Sequence, residues 1–259
     1  MSNKKLKNTL ENLKEKYKGK SALIFGNGPS ISEIDFELIK ENHNLITLTT
    51  NQIASICRKN NWNPHLYTAF FCEPLKGKKY KKLFRKTINY LGSYEKALLV
   101  QKDVQYMVNN QNTECFINDW YDKFLIKNDH SHFVKPILWD RFVDFPKDAF
   151  KRFKVPDKFL WNCATTPLFQ ICFYFNFKKI AIIGQDGYQI NAKNHYENYL
   201  GNEHLDKTKM VSANKRINKL LDAVHYYSQE YDIKIYNLSK ISKFKQFPKN
   251  TLENYLENI

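Results

Sequence analysis

An α/β fold, in which a mostly parallel sheet is flanked by helices and topped by a small lid, is what this sequence predicts. Three observations predict it. Short apolar runs read as buried parallel strands: Ala22 to Phe25, Leu45 to Thr50, Leu66 to Phe71, Ile180 to Ile183 and Ile233 to Tyr236. Stretches with helical spacing alternate with these runs, which is the order a parallel sheet requires. Several runs also end in turn-forming polar clusters at the strand's carboxyl end, where ligands of open α/β sheets bind.

The elements follow in order. Met1 to Lys20 is lysine-rich, with Leu6, Leu10 and Leu13 at helical spacing, and reads as an amphipathic leading helix. The first strand ends in Gly26-Asn27-Gly28-Pro29-Ser30, and Ile31 to Lys40 then resumes with helical spacing. A strand, a glycine-rich turn and a helix opened by proline make an anion-binding corner, because free N–H groups at a helix start face the ligand. Leu45 to Thr50 ends at Asn51-Gln52, and the third strand ends at Cys72-Glu73-Pro74. Asn27, Asn51 and Glu73 thus each follow a strand and can face one crevice.

Tyr80 to Tyr90 reads as helix, Lys96 to Val100 as a fourth strand and Thr113 to Ile117 as another. From 119 to 159 the pattern blurs into aromatic and charged residues broken by Pro136, Pro146 and Pro156, the composition of a lid. His130 and His132 lie there as a surface pair. Leu168 to Phe177 is an apolar helix following Thr165-Thr166-Pro167. The strand Ile180 to Ile183 stops at Gly184-Gln185-Asp186-Gly187-Tyr188, and Asn194-His195-Tyr196 and His204 follow in polar loops. Ser212 to Tyr231 is a long helix, and a short one over Leu252 to Leu256 closes the chain. The expected division is a leading helix over 1–20, a Rossmann-like nucleotide domain over 21–118 and 160–259, and a lid over 119–159.

At 259 residues, 42% hydrophobic and 15% aromatic, the chain can bury one generous core. No apolar run reaches the roughly 18–20 residues that span a bilayer. Five cysteines without paired spacing predict packed thiols in a cytoplasmic protein, and no metal set is visible. The net charge of +15 points to an anionic partner. Its lysines are scattered and no nucleic-acid motif is present, so nucleic acid is not the expected one. The nearest cluster, Lys76 to Lys86, reads as a solvated helix face or as one that meets anionic lipid.

The stretches Ile24 to Ser30, Thr50-Asn51-Gln52, Cys72-Glu73-Pro74 and Ile183 to Tyr188 together resemble the bacterial sialyltransferases that modify lipooligosaccharide. A second resemblance is to the broad family like 6-hydroxymethyl-dihydropterin pyrophosphokinase, which includes flagellin- and envelope-glycosylation proteins. Trp62-x-Pro64-x-x-Tyr67, Gly184-x-Asp186 with Asn194-His195-Tyr196, and Ile233 to Asn237 followed by Phe247-Pro248 carry it. The first resemblance implies a glycosyltransferase that takes CMP-sialic acid without a metal or other cofactor. Asn27, Gly28 and Ser30, in the turn with Gly26 and Pro29, would line the donor phosphate or ribose, and Asn51 would hold the nucleotide. Glu73 stands where that family has asparagine, and Thr165 and Thr166 lie near its Thr-Ser-Gly segment. Gly184 and Asp186 complete the donor side. Tyr188 matches the first of two tyrosines that stabilise the departing phosphate, and Tyr196 is the candidate for the second, across a longer loop. An ungapped alignment puts Lys215 at the general-base position, so His195 or His204 serves only if the loop shifts.

The expected partners are a nucleotide sugar and a glycan or glycolipid acceptor, with contact to an anionic membrane face and self-association as further options. Two alternatives stay open: an ATP- and magnesium-dependent pyrophosphokinase, in which Asp186 and Glu73 bind metal, and an inactive nucleotide-binding partner.

Overall fold

A computed structural model describes residues 3–69, 94–121, 125–134, 136–138, 145–152, 159–161, 163–189, 194–196 and 207–259. Along the chain it runs α1 (Asn3–Lys16), β1 (Ser21–Phe25), α2 (Phe36–Glu41), β2 (Leu45–Thr50), α3 (Ala54–Lys59), β3 (Leu66–Ala69), α4 (Tyr94–Asn109) and β4 (Glu114–Asn118). There follow β5 (Ser131–Val134), β6 (Pro136–Leu138), α5 (Ala149–Arg152), β7 (Phe159–Trp161), α6 (Thr166–Tyr174), β8 (Lys179–Ile183), α7 (Lys207–Glu230), β9 (Lys234–Asn237) and α8 (Leu252–Glu257).

Seven strands form one sheet in the order β5-β4-β3-β2-β1-β8-β9, and every pairing in it is parallel. The predicted α/β class, a mostly parallel sheet flanked by helices, is therefore what the chain adopts. Strand order reverses direction at β1, so the topological switch point lies between the carboxyl ends of β1 and β8.

Side chains alternate across the sheet with the two-residue period of a strand. Ala22, Ile24, Leu48, Leu66, Phe116 and Ile182 join one buried cluster with α1, α6 and α7. Leu23, Phe25, Tyr67, Cys115, Ile117 and Ile183 join the other, with α2, α3, α4 and α8. Each fully buried Leu, Ile or Phe contributes about 1.5–3 kcal/mol, so these two layers hold the sheet together. Trp62 packs against Phe25 and Phe36 at centroid distances of 5.1 and 5.0 Å, as core.

Three expectations are corrected or refined. Lys96 to Val100 is not a strand but part of α4. Val100, Val104, Met107 and Val108 are buried while Leu99 is exposed, a helical period that a four-residue apolar run conceals. The helix expected over Ile31 to Lys40 is two pieces, a 3-10 turn at Pro29–Glu33 and then α2. Asp35 separates them, extended in backbone and accepting a hydrogen bond from Glu37 N–H as the N-cap of α2. Within 119–159, β5 pairs with β4 as the sheet's edge strand, and β6 and β7 form a separate parallel pair. Tyr80 to Tyr90, Lys76 to Lys86, Cys72, Glu73 and His204 lie outside the described residues.

Candidate functional site

The carboxyl edge of the sheet brings most of the predicted residues together, in two unlike halves. On the β1–β8–β9 side the polar groups bind one another. Gly26 N–H donates to Ile183 O and Gly28 N–H to Gly184 O, both at 2.8 Å, so the two strand extensions stay zipped past the sheet. Only glycine fits here. A Cβ on Gly26 would stand 2.2 Å from Gly184 O, and one on Gly28 would stand 2.3 Å from an Asp186 carboxylate oxygen.

Asp186 is 2% exposed and accepts from Ser30 N–H at 2.9 Å, from Ser30 Oγ at 2.7 Å and from the Ser239 hydroxyl. Ser30 Oγ in turn accepts from Gly184 N–H at 3.0 Å. The anion-binding corner expected at Pro29 and Ser30 thus holds an anion already, the protein's own carboxylate. The donors of Gly28 and Ser30, expected to line the donor phosphate or ribose, face Gly184 and Asp186 in this structure. Asp186 stands as a buried cap that accepts from the three donors of Ser30 and Ser239. Among the described residues no group of three or more His, Cys, Asp or Glu could hold a metal ion.

On the β2–β3–β4 side some buried polar atoms have no partner among the described residues. Gly26, Thr50 and Thr68 extend the alternation of Ile24, Leu48 and Leu66, and Thr50 pairs in register with Thr68. Asn118 extends Phe116 in the same way on β4. Gly26, Thr50 and Thr68 lie in one row on the face that α6 covers, since α6 packs on β1 and β2, and Asn118 lies one step further along β4. Thr50 Oγ1, Asn27 Oδ1 and Asp119 Oδ1 are buried and have no hydrogen-bond partner among the described residues. Buried polar atoms without partners are rare, and such a group at a ligand edge marks where a ligand's donors would go.

Asn51, at the end of β2, has φ of 57°, in the left-handed region that asparagine tolerates better than most residues. Tyr67 Oη donates to its carbonyl at 2.6 Å and holds the turn. Thr165, just before α6, donates to Gln185 Oε1 at 2.9 Å, and Thr166 Oγ1 accepts from Cys163 N–H at 3.0 Å. Both threonines are buried, so they shape the rim from which α6 starts.

The two tyrosines part company. Tyr188 is held by Asn214, which accepts from its N–H at 2.7 Å and donates to its carbonyl at 2.9 Å, and it packs against the α7 side. Tyr196 is 4% exposed, packs in the opposite layer, and accepts from Ser55 Oγ at 3.3 Å. Its N–H donates to Asn27 O at 3.2 Å, so residues 194–196 lie across the switch point. Burial pushes the Tyr196 hydroxyl well above its ordinary pKa, which keeps it a neutral donor.

His195 meets the Tyr188 ring edge-on at a centroid distance of 5.7 Å. Burial lowers its pKa to about 4, so it is neutral at pH 7 and a weak base as it stands. Lys215 lies on α7, exposed. The pair His130 and His132 sits at the opposite, amino-terminal edge, where both bind Glu114, at 3.0 and 2.9 Å. Burial raises the Glu114 pKa, but the hydrogen bonds from His132 and His130 outweigh it and hold the carboxyl below its usual range.

Sequence reasoning passes over Thr68, Asn118 and Ser239. The available signal is a polar residue at or just past the end of an apolar strand; only the strand register shows which of them are neighbours, as Thr68 is of Thr50.

No family model matches the chain, and no curated protein matches it. Among solved structures, it is similar to the monofunctional alpha-2,3-sialyltransferase Cst-I from Campylobacter jejuni, at 13% identity and a TM-score of 0.41. That likeness covers 89% of this chain and 82% of the other, and it is a distant one.

Proposed function

We propose that the chain is an inverting glycosyltransferase that uses a nucleotide-activated, CMP-linked acidic sugar to modify a cell-envelope glycan. The observation that carries the reading is the β2–β3–β4 half of the carboxyl edge. Partnerless acceptors on Thr50 and Asn27 stand there beside Asn51 and the buried threonines at the start of α6. A nucleoside carries amino and hydroxyl donors that would satisfy those acceptors. The sequence resemblance to lipooligosaccharide sialyltransferases supports the same chemistry.

Displacing a nucleotide from a sugar builds negative charge on phosphate, so the site needs donors more than a nucleophile. The hydroxyls of Tyr188 and Tyr196 would be donors of that kind, and burial keeps that of Tyr196 neutral. His195 would take the acceptor's proton once an anionic donor sits beside it, because a nearby negative charge raises an imidazole pKa toward neutrality. The step forms the acceptor oxygen–sugar bond, breaks the sugar–phosphate bond and releases the nucleotide.

A thermal-shift series against CMP, CTP, UDP and ATP, each with magnesium or EDTA, tests this. A ligand at a hundred times its Kd stabilises the fold by about 2.7 kcal/mol, enough to read as a higher Tm. Stabilisation by CMP or CTP that survives EDTA is expected. Stabilisation by ATP with magnesium alone would promote the pyrophosphokinase.

A further inference from the structure

We propose that the seam between α7 and the 240–245 loop is a docking surface for an anionic lipid bilayer. The seam is built, not incidental. The space beside Gly187 is filled by Asn214 of α7 and the Phe244 ring, each 3.2 Å from where a Cβ would stand. Gln246 Nε2 donates to Asn218 at 2.8 Å and to Asp222 at 2.9 Å. The loop is fixed from below, since Ser242 Oγ donates to Gln185 O and Lys243 N–H to Asp186 O. Its base is locked by Lys249, whose ammonium donates to Ser239 O and Ser242 O.

The outer surface of this seam is cationic. Lys207 and Lys215 are exposed on α7 with Arg216 half-buried between them and the core, and Lys240, Lys243 and Lys245 are exposed on the loop. From 207 to 221 the helix carries no carboxylate, and Asp222 beyond it is held by Gln246. Among those cations stand two exposed aliphatic side chains, Val211 at 60% and Ile241 at 40% exposure. They are the exposed large aliphatics of this half of the sheet, one from each side of the seam.

Lysines around protruding aliphatic groups fit a bilayer of anionic lipid. Its headgroups attract the charges, and its acyl boundary accepts the apolar side chains. A nucleic acid would use exposed aromatic rings as stacking platforms. The exposed rings of this stretch, Tyr226 on α7 and Tyr231 just after it, lie at the helix's other end. Docking here would put the carboxyl edge, at Gly187 and Tyr188, beside the bilayer.

The test is sedimentation of the full chain with vesicles of phosphatidylcholine alone or with 30% phosphatidylglycerol (about a third anionic, in the range of surfaces that attract polybasic segments). The expected result is binding to the anionic vesicles that weakens with salt, and little to the neutral ones. The triple variant Lys240→Gln, Lys243→Gln, Lys245→Gln should bind at least about tenfold more weakly. Its Lys→Arg counterpart should bind as the parent does, and Ile241→Ser should bind more weakly with charge intact. All these positions are exposed, and an unchanged Tm checks that each variant folds. Failure of the parent to bind anionic vesicles, undiminished binding by the triple variant, or tighter binding to a single-stranded DNA 20-mer would each overturn the proposal. The nucleotide thermal shifts read the transferase proposal separately, so either can fail alone.

Discussion

The two halves of the carboxyl edge both carry small polar residues, and these are in opposite states. Beside β1, β8 and β9, an aspartate, two serines and the backbone of three glycines hydrogen-bond one another. Beside β2 and β4, a threonine and an aspartate keep buried oxygens without partners among the described residues, and Asn27 does so at the boundary. A buried polar group is stabilising when satisfied and costly when not, so the first half adds to the stability of the fold and the second carries a cost that the proposed nucleotide would relieve. A glycine-rich turn after a strand is therefore not in itself a ligand site. What matters is whether its donors already have an acceptor.

The largest effect should come from breaking the satisfied half. Asp186→Ala leaves the Ser30 N–H and the Ser30 and Ser239 hydroxyls unpaired in the core, and we expect a loss of about 3–5 kcal/mol in urea unfolding. A loss below 1 kcal/mol would show that Asp186 is no cap.

Next comes acid. Burial holds both His65 and His195 at about 4 against an ordinary 6.5, with Lys20 and Lys16 adding to the effect at His65. Between those pH values the unfolded chain binds more protons than the folded one. Stability is thus complete above pH 6.5 and drains away as pH falls toward 4, by about 3 kcal/mol per histidine at most. His195→Gln should flatten part of the Tm-against-pH curve, and a saturating CMP-type anion should move its inflection upward.

Gly26→Ala should cost ~2–3 kcal/mol by forcing a methyl group onto Gly184 O, and an unchanged midpoint would mean the zipped extension yields easily.

The smallest effect sharpens the contrast most. Thr50→Val removes an oxygen that has no partner, so apo stability should stay level or rise by under about 1 kcal/mol. The nucleotide-induced shift in Tm should shrink in the same variant. A destabilised apo form would mean that the hydroxyl is already satisfied.

Much of this fold can be read from the chain because its strands are short apolar runs bounded by turn residues, as at Ala22 to Phe25 and Ile180 to Ile183. Lys96 to Val100 looks the same at that length, and only the helical period continuing through Val104 and Val108 tells it apart. The site is less legible, for a geometric reason. Ser30 and Asp186 are 156 positions apart and meet through the β1–β8 pairing. Thr50 and Thr68 are neighbours only through the register of β2 and β3. No local pattern encodes either.

The central position of β1 has a consequence for how the chain is made. Its first neighbour, β2, follows about twenty residues later, but its second, β8, begins at Lys179. Tyr255 Oη then donates to Ala22 O and Lys179 O, latching those two strands from the far end of the chain. During synthesis β1 must wait, half-covered, while most of the polypeptide leaves the ribosome. Contacts so distant in sequence close slowly, and unpaired strand edges aggregate meanwhile. A nascent chain stalled before β8 should need a chaperone's shelter, and one stalled after α8 should not.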